Sequence, residues 1–184
     1  DRMNTRRKIV STIGACAIAL PLRGFAQKKL VRIGRLSALS IAIDARIRDG
    51  LVSGLQELGW IEGKNYVFES RFADGNLERL PALAQELVNS QVDIIVAGST
   101  PGAFAAKNAT STIPIVIVTT GDPVANGLVT SLARPGGNIT GATALAQELG
   151  GKRLEFFKEA FPALRRVSVL ANPASPDTKA SIEG

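Results

Sequence analysis

The sequence contains no histidine, and Cys16 is its only cysteine. Without an imidazole there is no histidine for general acid–base catalysis, for a Ser-His-Asp triad or for most zinc sites. A single cysteine excludes an intramolecular disulfide and a cysteine metal cluster. The GxxxxGK[ST] spacing of a P-loop and the GxGxxG fingerprint of dinucleotide binders are also missing. We therefore expect a protein that is not an enzyme, with no catalytic residues, no metal and no cofactor.

An excess of positive charge is also missing from most of the chain. The net charge is +6, but five basic residues and one acid lie within residues 1–26, which leaves +2 for the other 158 residues. A protein that binds nucleic acid needs Lys and Arg side chains clustered on one face. The charge distribution therefore gives no support to a nucleic-acid partner.

Residues 1–26 have the three-part pattern of a secretory signal peptide. A basic stretch at residues 6–8 precedes an apolar run at residues 9–22, and Gly24 and Ala26 place small residues where a signal peptidase reads. The run is shorter than the roughly 20 residues that span a bilayer. We predict export to the periplasm by the Sec or the twin-arginine route, with no direct membrane span. A buried N-terminal helix is the alternative.

Cys16 follows Ile13-Gly14-Ala15, a sequence that resembles a lipobox. The apolar run continues for six residues beyond this cysteine, which does not fit a lipidation site. We therefore favour an inert residue inside a removed peptide over a lipid anchor.

After residue 30, short apolar runs alternate with amphipathic segments. Strands separated by single helices indicate βαβ units and a parallel sheet with right-handed crossovers. A chain that is 45% hydrophobic can bury a core of this kind. The pattern predicts strands at residues 31–36, 66–72, 92–97, 115–118, 138–143 and 167–170, and helices at residues 44–58, 77–90, 100–109, 124–132 and 149–161.

The elements beyond residue 141 are too few to form a domain. After the helix predicted at residues 149–161, one strand at residues 167–170 and the start of a helix near residue 176 remain, and these two cannot bury each other. We therefore predict a ligand-binding lobe at residues 27–141, followed at residues 142–184 by a hinge and the incomplete start of a second lobe.

The polar residues that follow the strands are the candidate ligand contacts, because open parallel sheets bind ligands outside the carboxyl ends of their strands. Hydroxyls and free amides where a helix begins can hold a carboxylate or a phosphate. The candidates are Ser37, Gly98, Ser99, Thr100, Thr120, Gly121, Asp122 and Asn172.

Several candidates also have a purely structural interpretation. Ser99 or Thr100 would cap the helix that follows them, and Asp122 would cap the next one instead of pairing with a ligand ammonium. Ser37 would be a turn hydroxyl, and Asn172 would be a turn former. The residues alone leave both interpretations open.

Six segments, in their order and spacing, resemble the family of ABC-transporter substrate-binding proteins that includes tryptophan and tyrosine binders. The resemblance runs from about residue 31 to residue 184. The segments are ELGWIEGKN (57–65), LPALA (80–84), VDIIVAG (92–98), IPIV (113–116), GDPV (121–124) and LARPGGNITG (132–141).

The resemblance implies a periplasmic-binding-protein fold of type I, in which two Rossmann-like lobes, each with helices on both sheet faces, clamp a ligand between them. It also implies an importer component that passes a small solute, with an aromatic amino acid as the family-level ligand, to membrane permease subunits. Ser99 and Thr100 would then hold a carboxylate, Asp122 would hold an ammonium, and Ser37 and Asn172 would complete the polar ring. A ligand-sensing domain of a receptor or regulator with the same fold is the alternative.

Overall fold

The computed structural model describes residues 29–119, 121–145, 149–173, 175, 177 and 178. The predicted signal peptide, Cys16 and Thr120 lie outside the described residues. In chain order the elements are β1 (Val31–Ser37), α1 (Ile41–Glu57), β2 (Tyr66–Phe72), a 3-10 turn (Leu77–Arg79), α2 (Leu80–Asn89), β3 (Ile94–Ala97), α3 (Thr100–Ala109), β4 (Ile115–Thr119), β5 (Ile139–Thr143) and α4 (Gly150–Ala160).

The five strands form one sheet in the order β2-β1-β3-β4-β5, and every neighbouring pair is parallel. The register places Ile33 between Phe68 and Ile94. It places Ile115 between Ile95 and Ile139. The predicted α/β class with a parallel sheet is therefore confirmed.

The helices lie on both faces of the sheet. In the sheet, β2 lies on one side of β1, and β3 and β4 lie on the other side. Right-handed crossovers therefore put α1 on one face of the sheet and put α2 and α3 on the opposite face. A Cβ built on Gly34 would contact Leu87 of α2, which identifies the face that α2 covers. The next residue of β1, Arg35, turns to the other face and meets Asp44 of α1.

The hydrophobic core lies between the sheet and the two helices α2 and α3. Leu80, Leu83, Ala84 and Leu87 form the buried stripe of α2, with the i, i+3, i+4, i+7 spacing of an amphipathic helix. Burial of each leucine contributes roughly 1.5–3 kcal/mol. These side chains fix α2 against the sheet and so hold the strand ends in place.

The helix predicted at residues 124–132 is wrong. The structure has a series of turns there, in which the amide of Gly127 donates to the carbonyl of Val124 and that of Leu128 to Pro123. Gly127 has a φ of +73°, a left-handed conformation that ends a helical turn. One turn therefore forms, and the chain then leaves the helical path.

The strand predicted at residues 167–170 is also wrong. No strand in the described part of the chain pairs with this segment, and Val167, Val169 and Leu170 are exposed. A strand needs a neighbour to accept and donate its backbone hydrogen bonds. β-branched residues alone do not supply one.

Within the described ranges, no helix has both the length and the apolar character that crossing a bilayer requires.

Candidate ligand-binding site

The carboxyl ends of β1, β3 and β4 meet at one edge of the sheet, because these strands are parallel neighbours. They end at Ser37, Ala97 and Thr119. The loops that follow therefore converge, as the sequence predicted. Which of their side chains face a cavity is decided by the packing.

A cavity of about 250 Å³ lies between α1 and the face of the sheet that α1 covers. Two predicted residues, Ser37 and Gly98, contribute to its wall. Its lining includes residues inside the strands and inside α1 as well as a loop residue. The complete lining is Arg35, Leu36, Ser37, Asp44, Ile47, Leu51, Val96, Gly98 and Val118.

Ser37 combines the two roles that the sequence left open. Its buried hydroxyl oxygen accepts a hydrogen bond from the amide of Leu39 at 3.2 Å, which stabilises the turn after β1. The same residue lines the cavity. Its hydroxyl hydrogen can still donate, because a serine hydroxyl is both a donor and an acceptor.

At the junction of β3 and α3, three neighbouring residues have different roles. The Ser99 hydroxyl accepts from the amide of Gly102 at 3.2 Å and caps α3. Thr100 is buried, and among the described residues its hydroxyl has no hydrogen-bond partner. Gly98 is exposed at the cavity wall, with space around it for a ligand. Of the three, the structure brings only Gly98 to the cavity.

Polar groups in the loop after β4 form hydrogen bonds with nearby groups of the protein. Asp122 accepts hydrogen bonds from the amides of Val124 at 2.8 Å and Ala125 at 3.1 Å, the pattern of a cap. The carbonyl of the buried Gly121 accepts a hydrogen bond from the hydroxyl of Thr143. Neither Asp122 nor Gly121 lines the cavity under α1.

Asn172 is exposed and lies in a turn, and it does not line the cavity. Its carbonyl accepts from the amide of Ser175 at 3.0 Å and from the hydroxyl of Thr178. In the same segment, Asp177 accepts from the side-chain amide of Asn126 at 2.9 Å. A Cβ on Gly121 would overlap the Asp177 carboxylate. The segment after Pro173 therefore contacts the loop after β4.

Sequence reasoning missed the buried ion pair between Arg35 and Asp44. The two residues are 4% and 3% exposed, and Nη2 of Arg35 donates to Oδ2 of Asp44. The guanidinium carbon also lies 5.5 Å from the ring centroid of Phe68. The available signal was an arginine near the middle of an apolar strand, with an acid in the first turn of the next helix.

The described residues contain no group of three carboxylate, cysteine or histidine side chains that could hold a metal ion. What the cavity offers is a mostly apolar wall with one cation, one anion and one hydroxyl. Mostly apolar walls with a few polar groups are typical of small-molecule pockets.

Comparisons with known proteins identify relatives of this chain. The tyrosine-binding protein of Clostridioides difficile (strain R20291) is 32% identical over 138 residues, which cover 75% of this chain and 39% of that protein. A conserved domain protein from Vibrio cholerae O1 biovar El Tor strain N16961 is 33% identical with a TM-score of 0.77, over 84% of this chain and 52% of that one.

A third relative supports the fold alone, because its identity is low. It is an ABC domain from Streptococcus pneumoniae solved in complex with L-Trp, with a TM-score of 0.74 and 24% identity over 84% of this chain and 52% of that chain. The chain thus spans about half, or less, of the length of the relatives it matches. Residues 39–183 match the family described as ABC transporter substrate binding protein. The chain belongs to that family.

Proposed function

We propose that this chain is the ligand-binding part of an extracytoplasmic solute receptor of an ABC importer. The solute is an amino acid, with aromatic amino acids as the first candidates. The protein binds it without chemical change, and the membrane permease subunits of the transporter take it up from the closed complex.

A cavity that extends from under α1 to the carboxyl edge of the parallel sheet is the observation that carries this proposal. It is lined by Ser37 and Gly98 from two strand ends, and its remaining wall is largely apolar. Ligands of open α/β sheets bind at this edge. A pocket with apolar walls and a few polar groups suits a small solute with an apolar body.

The amino-acid class comes from the tyrosine-binding protein, which is 32% identical over 138 residues. This chain covers only part of that protein, so the activity of the whole protein is part of the proposal. We place the hinge and the start of a second lobe at residues 142–184, after a first lobe at residues 27–141. Closure of two such lobes over a solute is the hinge motion expected of a binding protein.

The predicted signal peptide at residues 1–26 supports a periplasmic location for this function. A solute receptor must meet its ligand outside the cytoplasmic membrane. Removal of the signal would leave a mature protein that begins near Gln27.

The experiment is a thermal-shift titration of the complete mature gene product against the twenty amino acids and a set of small carboxylates. A ligand at 100 times its Kd stabilises the folded state by about 2.7 kcal/mol. We expect one or a few aromatic amino acids to raise Tm by several degrees. If no member of the panel moves Tm while the protein unfolds cooperatively, the amino-acid receptor function is wrong.

A further inference from the structure

The loop after β4 is fixed to the sheet and to α3. Leu128 is 2% exposed and lies in the hydrophobic core. Nζ of Lys107 in α3 donates to the carbonyls of Gly127 at 2.7 Å and Leu128 at 3.2 Å. At the start of the loop, the carbonyl of Gly121 accepts a hydrogen bond from the hydroxyl of Thr143 at the end of β5. The side chains of this loop therefore have defined positions relative to the sheet.

Asn126 in this loop contacts a residue that lies 51 positions later in the sequence. Its side-chain Nδ2 donates to Oδ1 of Asp177 at 2.9 Å, and both residues are partly buried. A carboxylate acceptor makes this hydrogen bond stronger than one between two neutral groups. Asp177 lies beyond residue 141, where we place the end of the first lobe. With that boundary, the hydrogen bond joins a loop of one lobe to the start of the other.

Gly121 leaves the space that Asp177 occupies. Gly121 is buried, and a Cβ built on it would overlap Oδ1 of Asp177. The same Cβ would lie 2.7 Å from Cγ of Asp177 and 3.1 Å from Nδ2 of Asn126. Any larger residue would therefore move the carboxylate away from the amide that donates to it.

A turn holds Asp177 in place on the other side of this contact. The carbonyl of Asn172 accepts from the amide of Ser175 at 3.0 Å and from the hydroxyl of Thr178. The amide of Thr178 donates to the carbonyl of Ser175 at 3.1 Å. These hydrogen bonds lie before and after Asp177 in the sequence. The carboxylate is therefore presented by a hydrogen-bonded turn to a loop that is itself fixed.

We propose that Asn126, Asp177 and Gly121 form a latch, which holds the two lobes together before a solute binds. The inference rests on the proposed function, because it uses the two lobes and the hinge motion of that receptor. The latch raises the fraction of ligand-free molecules in the closed form. A solute that binds the closed form then has an apparent affinity that rises in proportion to that fraction.

The strength of the contact suits a bias rather than a lock. One hydrogen bond to a charged group changes an equilibrium by about 10-fold when water competes for both partners. Asn126 and Asp177 are only partly buried, so water reaches this site. The latch therefore favours closure and still permits the opening by which a receptor admits and releases its solute.

The first measurement is the radius of gyration of the ligand-free, complete mature gene product by small-angle X-ray scattering. Asn126→Ala and Asp177→Ala should each shift the ratio of closed to open molecules about 10-fold toward the open form. Opening about a hinge increases the radius of gyration. The double variant should show no further increase, because two residues of one contact are not additive.

Gly121→Ala tests the space that the latch needs. The added methyl group should displace the carboxylate and open the protein as Asn126→Ala does, with little further effect when both changes are combined. Gly54→Ala is the matched control, because nothing lies within 4 Å of a Cβ built there. Asn89→Ala is the second control, since its side chain accepts from Gln85 of the same helix. Both controls should keep the wild-type radius.

The second measurement is the Kd of L-tyrosine and of L-tryptophan by calorimetry. The latch variants should bind about 3- to 10-fold more weakly than wild type, because fewer molecules are closed beforehand. The two controls should bind as wild type does. Circular dichroism and thermal unfolding without ligand check that each variant is folded.

The outcomes separate the latch from the function. Equal radii of gyration in wild type and in all latch variants would overturn the latch, whatever the protein binds. If the variants open but bind L-tyrosine as tightly as wild type, the contact does not assist closure and the latch is also wrong. If the variants open and no amino acid binds the wild-type protein, the latch is confirmed and the amino-acid receptor function fails. Opening together with weaker binding, in the latch variants and not in the controls, confirms both.

Discussion

Gly141 shows how one residue permits two strands to pair. Its φ is +149°, and a Cβ built on it would overlap backbone atoms of Ile117 in the neighbouring strand. Because the obstacle is backbone, no rotamer change can relieve the overlap. The contact of β5 with β4, and with it the position of the loop after β4, depends on the missing side chain.

We expect Gly141→Ala to reduce the free energy of unfolding by roughly 3 kcal/mol or more, from strained φ and steric overlap together. Urea unfolding followed by circular dichroism measures the loss. Gly54→Ala is the matched control, because Gly54 lies inside α1 with nothing within 4 Å of a built Cβ. In a helix this change stabilises by about 0.5–1 kcal/mol. A Gly141→Ala protein as stable as wild type would show that β5 does not approach β4 so closely.

Among the elements, α3 begins with a side-chain cap. Ser99 has extended φ and ψ, and its hydroxyl oxygen accepts from the amide of Gly102. We expect Ser99→Ala to destabilise the protein by about 1 kcal/mol, which lowers Tm by roughly 2–4 °C. Ser99→Asp keeps an acceptor at the helix start and should remain within about 0.5 kcal/mol of wild type. Differential scanning calorimetry distinguishes the two, and an equal loss in both variants would contradict the capping role.

The connection between α2 and β3 is tied to β1 by Asp93. Its carboxylate accepts from the amide of Arg32 at 2.8 Å and from Lys29 at 3.2 Å. The backbone hydrogen bond from Arg32, and then the one from Lys29, lower the pKa of Asp93 below its ordinary value of 3.8. A lowered folded-state pKa means that the carboxylate stabilises the fold above the unfolded pKa, and that this contribution is lost as the pH falls through the folded pKa.

Asp93→Asn should therefore cost about 0.5–1 kcal/mol at pH 7, after allowance for solvent screening of this exposed group. The difference from wild type should shrink below pH 4 and vanish once the carboxyl is protonated. Urea titrations between pH 2 and pH 7 measure this. Asp49→Asn changes an exposed carboxylate on α1 and serves as the control. A constant difference at all pH values would mean that the charge of Asp93 is not responsible.

At the scale of the whole molecule, stability is unevenly distributed. α2 contributes four buried residues to the core, whereas the only buried residue of α1 is Asp44 and α4 has none. Local opening requires little free energy where few apolar groups are buried.

Amide hydrogen exchange of the 184-residue chain should reflect this distribution. We expect the slowest amides in β1, β3, β4 and α2, and exchange in α4 about 100-fold faster or more. Mass spectrometry of peptides after timed exchange gives the comparison. Equal protection of α4 and β3 would show that α4 packs against a core.

Local patterns predicted most of this architecture. Five of the six predicted strands form, because apolar β-branched runs such as residues 115–118 suit a buried parallel strand. The start of α3 at Thr100 follows from Ser99 and Pro101, which favour a helix start whatever the tertiary context. The residues assigned to ligand contact stay a prediction, of which the structure brings Ser37 and Gly98 to one cavity.

By itself the sequence determined five strands and four of the five predicted helices, the parallel sheet and the family, since each depends on short-range periodicity or on motifs in a fixed order. Only the tertiary structure decided which polar groups share a cavity. The pairing of Arg35 with Asp44 needs α1 folded back over β1, and Asp122 turns to its own loop because two amides lie within its reach. The segment at residues 167–170 has the composition of a strand, but a strand exists only where another strand lies beside it.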